Sequence, residues 1–136
     1  MILHDLSAGM HPRRVRIFMA EKGLAIDRRE VDAAGGANAR PDFLRLNPLG
    51  KLPVLELDDG SAIAESLAIC RYLEAMQPLP SLMGRTSQAS AHIEMWTLRM
   101  ESELRQGSTF RLVLPAARVR IRETERPSAG EGAAAG

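Results

Sequence analysis

Apolar residues recur along the chain with two spacings, one typical of strands and the other of helices. Short apolar runs bounded by turn-forming residues predict strands at 2–6, 51–57 and 61–64. A weak alternation between turn-forming residues predicts a further strand at 26–32. Apolar positions three and four residues apart predict helices at 12–23, 41–46, 65–76 and 87–104. Pro12 suits the first turn of the first helix, and Gly23 suits its carboxyl end.

The order of these elements, β-α-β-α-β-β-α, predicts an α/β fold. A crossover helix after the first strand implies a mixed four-stranded sheet that is covered by helices on both faces. Asp59-Gly60, between the last two strands, predicts a tight hairpin turn.

The pattern changes after the third helix. Pro78 and Pro80 mark a linker, and Ile93, Trp96 and Met100 then fall on one side of a further helix, a stripe better explained by packing than by cofactor binding. From 107 onward the periodicity is lost, and a tail rich in Pro, Ser, Gly, Glu and Ala cannot bury a core, although 113–121 alternates as a strand would. The predicted parts are a domain at 1–78, a linker at 79–86, the first helix of a truncated helical domain at 87–106 and a poorly ordered tail at 107–136.

Composition excludes several classes of function. A net charge of +1 gives no electrostatic case for binding nucleic acid or membrane surfaces. The single Cys70 excludes an internal disulfide or a C-x-x-C motif, and its place on an apolar helix face predicts a core residue rather than a nucleophile. No metal is expected. The chain has neither a membrane span nor the start of a signal peptide, which predicts a cytoplasmic protein.

Four stretches together resemble the amino-terminal, thioredoxin-like domain of cytosolic glutathione S-transferases, especially the bacterial and fungal members related to yeast nitrogen regulators. They are A-G-M-H-P-R-R-V-R-I-F-M-A-E-K-G (8–23), F-L-R-L-N-P-L-G-K-L-P-V-L (43–55), D-D-G-S-A-I-A-E-S-L-A-I-C-R-Y-L (58–73) and I-E-M-W-T-L-R-M-E (93–101). The resemblance implies a thioredoxin-like fold, glutathione as substrate, a detoxifying transferase activity and a possible homodimer.

Glutathione would first meet the chain at the turn before the third strand. The resemblance implies a cis peptide bond between Leu52 and Pro53, which exposes the backbone of Val54. The cysteinyl part of the tripeptide would pair with that backbone like an added strand. The alternative is an ordinary trans proline at the start of an edge strand.

The start of the helix at 65–76 is the second predicted contact. A helix N-terminus offers unpaired N–H groups and a partial positive charge to an anion. The resemblance implies that Ser66 binds the γ-glutamyl carboxylate and Glu65 the ammonium group, whereas the alternative is a plain helix cap. Lys51 is a candidate for the glycyl carboxylate, or a merely solvated lysine.

The third contact would stabilise the thiolate of glutathione. Activation requires lowering a thiol pKa of about 8.5 toward neutrality. Relatives place a Tyr, Ser, Cys, Thr or Asn in the loop after the first strand, and this chain has Ser7 and His11 there, with Gly9 where some relatives carry Ser or Thr. His11 matches the Asn position of the subgroup and could donate a hydrogen bond to the thiolate. Ser7 is the hydroxyl alternative, and His11 could also be only an exposed residue at the helix start.

Two hypotheses of function remain. As an enzyme, the protein would let bound glutathione thiolate attack an electrophilic carbon or a disulfide of a small-molecule co-substrate. As a non-catalytic protein, it would be a truncated glutathione-binding or dimerisation module, because only the first helix of the helical domain is recognisable. The sequence leaves open whether it is an enzyme. A redox thioredoxin is disfavoured because the first helix has no cysteine.

Overall fold

The computed structural model describes the backbone of residues 1–105 and the side chains of residues 1–102. Its elements follow the predicted order: β1 (Ile2–Asp5), α1 (Met10–Lys22), β2 (Asp27–Glu30), a short 3-10 turn (Ala37–Ala39), α2 (Pro41–Leu46), β3 (Val54–Glu56), β4 (Ala62–Ala64), α3 (Ser66–Met76) and α4 (Ser87–Arg105). The predicted tail at 107–136, with its possible strand at 113–121, lies outside the described residues.

One mixed sheet organises these elements, with the strand order β2-β1-β3-β4. β1 and β2 are parallel, joined by the crossover helix α1, whereas β3 is antiparallel to both β1 and β4. The predicted hairpin turn lies between β3 and β4, where Gly60 takes a left-handed φ of 81° that a residue with a side chain rarely adopts. The predicted α/β, thioredoxin-like architecture is confirmed.

Helices cover both faces of the sheet, as predicted. One core joins the sheet to α1 and α3 through buried apolar side chains, namely Leu3, Val15, Met19, Leu55, Ile69, Cys70 and Leu73. A smaller core on the other face contains Phe43 of α2, Val31 and Val54. Because side chains alternate across a strand, Val54 and Leu55 contribute to opposite cores.

The strands are shorter than the pattern predicts. The apolar run at 51–57 contributes only Val54–Glu56 to the ladder. Pro53 has no N–H to donate to a neighbouring strand, and Gly50 turns the chain with a left-handed φ of 62°. The residues ahead of Val54 therefore form a turn, and this turn belongs to the candidate site.

A buried ion pair connects α1 and α3 to the segment before α4. Lys22 Nζ lies 2.5 Å from Glu74 Oε2, and it also donates to the backbone oxygens of Gln77 and Pro80 at 2.5 and 2.8 Å. Glu74 in turn accepts hydrogen bonds from the amides of Leu82 and Met83. The predicted linker is thus held against α1 and α3 by Lys22 and Glu74 together.

Residues Met1–Thr97 form one compact unit, and α4 continues beyond it. Two members of the predicted apolar stripe on α4, Ile93 and Trp96, keep 38% and 51% of their surface exposed. Within residues 1–105 no helix has both the length and the apolar composition that a bilayer span needs. The domain boundaries at 78 and 86 stay predictions.

Candidate functional site

Strand register brings the three predicted contact regions to one edge of the sheet. In the antiparallel ladders Val54 is opposite His4 of β1 and Ala64 of β4. One step further in the same direction, the turn before β3 meets the end of β1 on one side and the start of α3 on the other. The β1–α1 loop, the Leu52–Pro53 turn and the helix start therefore share that edge.

The peptide bond between Leu52 and Pro53 is cis, as predicted. Val54, however, has a paired strand on each side, so its backbone has no free edge for an added strand. The backbone N–H and C=O of Leu52 hydrogen-bond to no described residue. The free backbone groups predicted at Val54 are thus found at Leu52, because β1 and β4 both reach as far as Val54.

The first turn of α3 is an uncapped helix N-terminus. Glu65 is exposed, has a left-handed φ of 67° and makes no capping bond with its side chain. The first backbone bond of the helix joins Ile69 N–H to the oxygen of Glu65 at 3.0 Å. The amides of Ser66, Leu67 and Ala68 accordingly have no partner among the described residues. The interpretation of Glu65 and Ser66 as a plain cap finds no supporting hydrogen bond.

Arg14 is a site residue that the sequence interpretation missed. It extends from α1 and donates from Nη1 to Ser66 Oγ at 2.8 Å. Ser66 is 4% exposed, and because its oxygen accepts from Arg14, its hydroxyl hydrogen remains available to donate. A cation, a hydroxyl and three free amides thus meet at one helix start, an arrangement suited to a carboxylate. Residue spacing could have identified Arg14 from the sequence. It lies four residues ahead of half-buried Phe18, so both residues lie on the same side of α1, at the edge of its apolar stripe.

The two candidates for thiol activation differ in their partners. Ser7 donates both its backbone N–H and its hydroxyl to the carboxylate of Glu30, at 2.7 and 2.8 Å. The hydroxyl hydrogen of Ser7 is therefore already used. His11 is exposed at the second position of α1, and its imidazole makes no hydrogen bond with a described residue.

Lys51 lies at the end of a turn that two asparagines fix. Asn47 is buried and donates from Nδ2 to the backbone oxygen of Lys51 at 2.8 Å. Asn38 donates to the oxygen of Gly50, also at 2.8 Å. The backbone at Lys51 is held, while its side chain is exposed.

Cys70 belongs to the core, as predicted. Burial raises the pKa of its thiol to about 11, although the charge of Arg14 acts in the opposite direction. The side chain is 1% exposed, so the thiol stays protonated and out of contact with solvent at neutral pH. Among residues 1–102 no group of three His, Cys, Asp or Glu side chains could hold a metal ion.

The chain is similar to known proteins over this same region. Residues 10–76 match the family described as "Glutathione S-transferase, N-terminal domain". Glutathione S-transferase 2 of Saccharomyces cerevisiae is 42% identical over 106 residues, which are 76% of this chain and 46% of that protein.

Solved structures of glutathione transferases are also similar to this chain. A glutathione S-transferase domain-containing protein of Marinobacter aquaeolei is 41% identical with a TM-score of 0.72, covering 75% of this chain and 51% of its own. A glutathione transferase homologue from Sulfitobacter, solved with bound glutathione, is 28% identical with a TM-score of 0.68, covering 74% and 48%. The chain spans about half the length of these relatives. Residues 10–76 therefore form an amino-terminal domain of the glutathione S-transferase family.

Proposed function

We propose that this domain binds glutathione along the sheet edge and holds its sulfur as a thiolate. The observation that carries the proposal is the meeting of Arg14 and Ser66 at the uncapped start of α3, beside the unpaired backbone of Leu52. A peptide-like ligand with a carboxylate at one end needs both an anion site, here the start of α3, and a free backbone partner, here Leu52. The bound glutathione of the Sulfitobacter homologue supports the same ligand class.

Each part of the tripeptide has a group of matching chemistry. The backbone N–H and C=O of Leu52, beside the cis bond to Pro53, pair with the cysteinyl unit, the role first predicted for Val54. Ser66 and the free amides of α3 hold the γ-glutamyl carboxylate, and Glu65 accepts from its ammonium group. Lys51 faces the glycyl carboxylate.

His11 is the group that stabilises the thiolate. Ser7 cannot donate its hydroxyl to sulfur while that hydrogen is shared with Glu30. The His11 imidazole N–H donates to the thiolate, which then attacks an electrophilic carbon or a disulfide sulfur. A bond to the glutathione sulfur forms as the leaving group departs with its electron pair. The co-substrate, a homodimer and a cytoplasmic location stay predictions.

Calorimetry of glutathione binding together with a turnover assay separates this proposal from a non-catalytic module. Glutathione binding accompanied by turnover of a generic electrophile supports the enzyme. Binding without turnover favours the non-catalytic binding or dimerisation module. Absence of binding by the full chain contradicts both.

Ser66→Ala is expected to weaken glutathione binding about ten- to a hundredfold, since a hydrogen bond to a charged group is worth about 1.5–3 kcal/mol. The measurement is the dissociation constant by calorimetry at neutral pH. Ser61→Ala is the matched control, because among the described residues Ser61 bonds only within the hairpin turn, to Asp59 and the backbone of Leu57. An unchanged affinity in Ser66→Ala would remove this residue from the site.

His11→Ala is expected to lower the rate of attack about ten- to a hundredfold while changing glutathione affinity less. A hydrogen bond to a charged group is worth about 1.5–3 kcal/mol, and this one is strongest when sulfur is ionised. Turnover and affinity are measured on the same preparation. His92→Ala on the exposed surface of α4 is the control. Equal losses of rate and affinity would indicate binding rather than activation.

A further inference from the structure

Asp5 is a fully buried carboxylate at the end of β1, and the chemistry proposed above makes no direct use of it. We propose that Asp5 and Arg16 are positioning residues that hold the β1–α1 loop, residues 6–9, in the conformation that presents His11 to the thiol. The inference rests on the proposed function for its chemical consequence. Whether Asp5 and Arg16 hold the loop can be tested without ligand.

Both oxygens of Asp5 are fully engaged. Oδ1 accepts from Arg16 Nη1 at 2.6 Å and from the backbone N–H of Leu6 at 2.8 Å. Oδ2 accepts from Nε and Nη2 of Arg28, at 2.8 and 2.6 Å. A carboxylate with 0% exposure is stable in its charged form only with such partners, so Asp5 fixes where both guanidinium groups lie.

Arg16, whose guanidinium is held by Asp5, also hydrogen-bonds to the loop. Its Nη2 donates to the backbone oxygen of Ser7 at 2.9 Å, and its Nη1 lies 3.3 Å from the oxygen of Leu6. One planar guanidinium therefore connects the end of β1 to two successive loop carbonyls. The rigid fork of an arginine suits this role better than the single ammonium of a lysine.

The rest of the loop is closely fitted. The amide of Gly9 donates to the oxygen of Leu6 at 2.8 Å, and a Cβ at Gly9 would lie 2.9 Å from the ring of Pro12. Glu30 holds Ser7 from the other side through two hydrogen bonds. His11 follows directly on α1, so a shift of the loop carbonyls would move the helix start and the imidazole with it.

Arg28 provides a matched control for Arg16. It bonds the same carboxylate as Arg16, but it makes no hydrogen bond to the loop at residues 6–9. A purely structural role for the buried charge cluster predicts similar effects for Arg16→Met and Arg28→Met. A positioning role predicts that only Arg16→Met changes the chemistry of the thiol.

The experiment uses the full chain and three readouts. The ultraviolet absorbance of thiolate against pH gives the pKa of bound glutathione, calorimetry gives the affinity for S-methylglutathione, and amide exchange reports the loop at Ser7 and Gly9. Arg16→Met is expected to raise the pKa of the bound thiol by about one unit, a tenfold loss of thiolate near neutrality. Affinity for S-methylglutathione should stay within about twofold, and amide exchange at Ser7 and Gly9 should speed up about tenfold or more. Arg28→Met should leave all three unchanged.

Equal shifts of the thiol pKa in the two variants, or none in Arg16→Met, overturn the inference. If Arg16→Met does not fold, Arg16→Lys replaces it, and an intermediate shift is expected because the charge remains but the fork is lost. If wild-type protein does not bind glutathione, the proposed function fails, and the exchange rates at Ser7 and Gly9 alone decide whether Arg16 holds the loop.

Discussion

Lys22→Met is expected to lower the free energy of unfolding by about 3–5 kcal/mol, the usual cost of removing one partner from a buried charged pair. The side chain of Lys22 is 0% exposed and that of Glu74 is 15% exposed. Methionine fills a similar volume but leaves the Glu74 carboxylate without its cation and the oxygens of Gln77 and Pro80 without their donor. Urea unfolding at neutral pH measures the loss.

The loss should depend on pH in a defined direction. Burial raises the pKa of Glu74, but hydrogen bonds from Lys22 and from the amides of Met83 and Leu82 outweigh it, and the net pKa is lowered from its ordinary value of 4.5. A carboxyl with a lowered folded-state pKa stabilises the fold above its unfolded pKa, and this contribution is lost as pH falls through the folded value. The difference between wild type and Lys22→Met should therefore be largest above pH 4.5 and shrink below it.

Lys51→Met is the matched control, because Lys51 is the only other lysine and is exposed. It should change stability by no more than about 0.5 kcal/mol. Adding Glu74→Gln to Lys22→Met should recover part of the loss, since the carboxylate that lacks a cation is then removed. A loss below about 1 kcal/mol in Lys22→Met, or one that stays constant through the acid range, would contradict this account of the ion pair.

Local sequence signals predicted the elements well but could not predict this lysine. Pro12, Gly23 and Asp59-Gly60 act on their own neighbours, so the bounds they mark are readable from the sequence. Lys22 occupies a helix C-terminus, where an exposed cation is the ordinary expectation. Its partner lies on another helix, and its burial follows from tertiary packing that no local pattern encodes.

Some residues of the candidate site were likewise predictable from the sequence, and others were not. Pro53 and Ser66 were found from motifs that resemble a known family, and the structure places them at one edge of the sheet. The free backbone groups predicted at Val54 lie at Leu52 instead, because the extent of strand pairing depends on register, which an apolar run alone does not fix. Arg14 was missed because its partner, Ser66, lies on a different helix.

Arg14→Met is expected to weaken glutathione binding about ten- to a hundredfold, the loss of about 1.5–3 kcal/mol that removal of a charged hydrogen-bond donor produces. Arg14 supplies the cation at the start of α3, and because Ser66 Oγ accepts its hydrogen bond, the hydroxyl hydrogen stays available to an incoming carboxylate. Calorimetry is again the measurement. Because ion pairing is screened by salt, the wild-type advantage should narrow as ionic strength rises.

Arg13→Met is the control, since it removes the same charge from an adjacent, exposed position of α1. If Arg13→Met and Arg14→Met weaken glutathione binding equally, a general electrostatic attraction explains binding, and the specific contact with Ser66 does not.

The double variant Arg14→Met with Ser66→Ala decides between these accounts. Residues that act through one hydrogen bond show losses that do not add, so the double variant should bind more tightly than the two single losses would predict together. Full additivity would mean that Arg14 and Ser66 act on glutathione independently, despite the 2.8 Å contact between them.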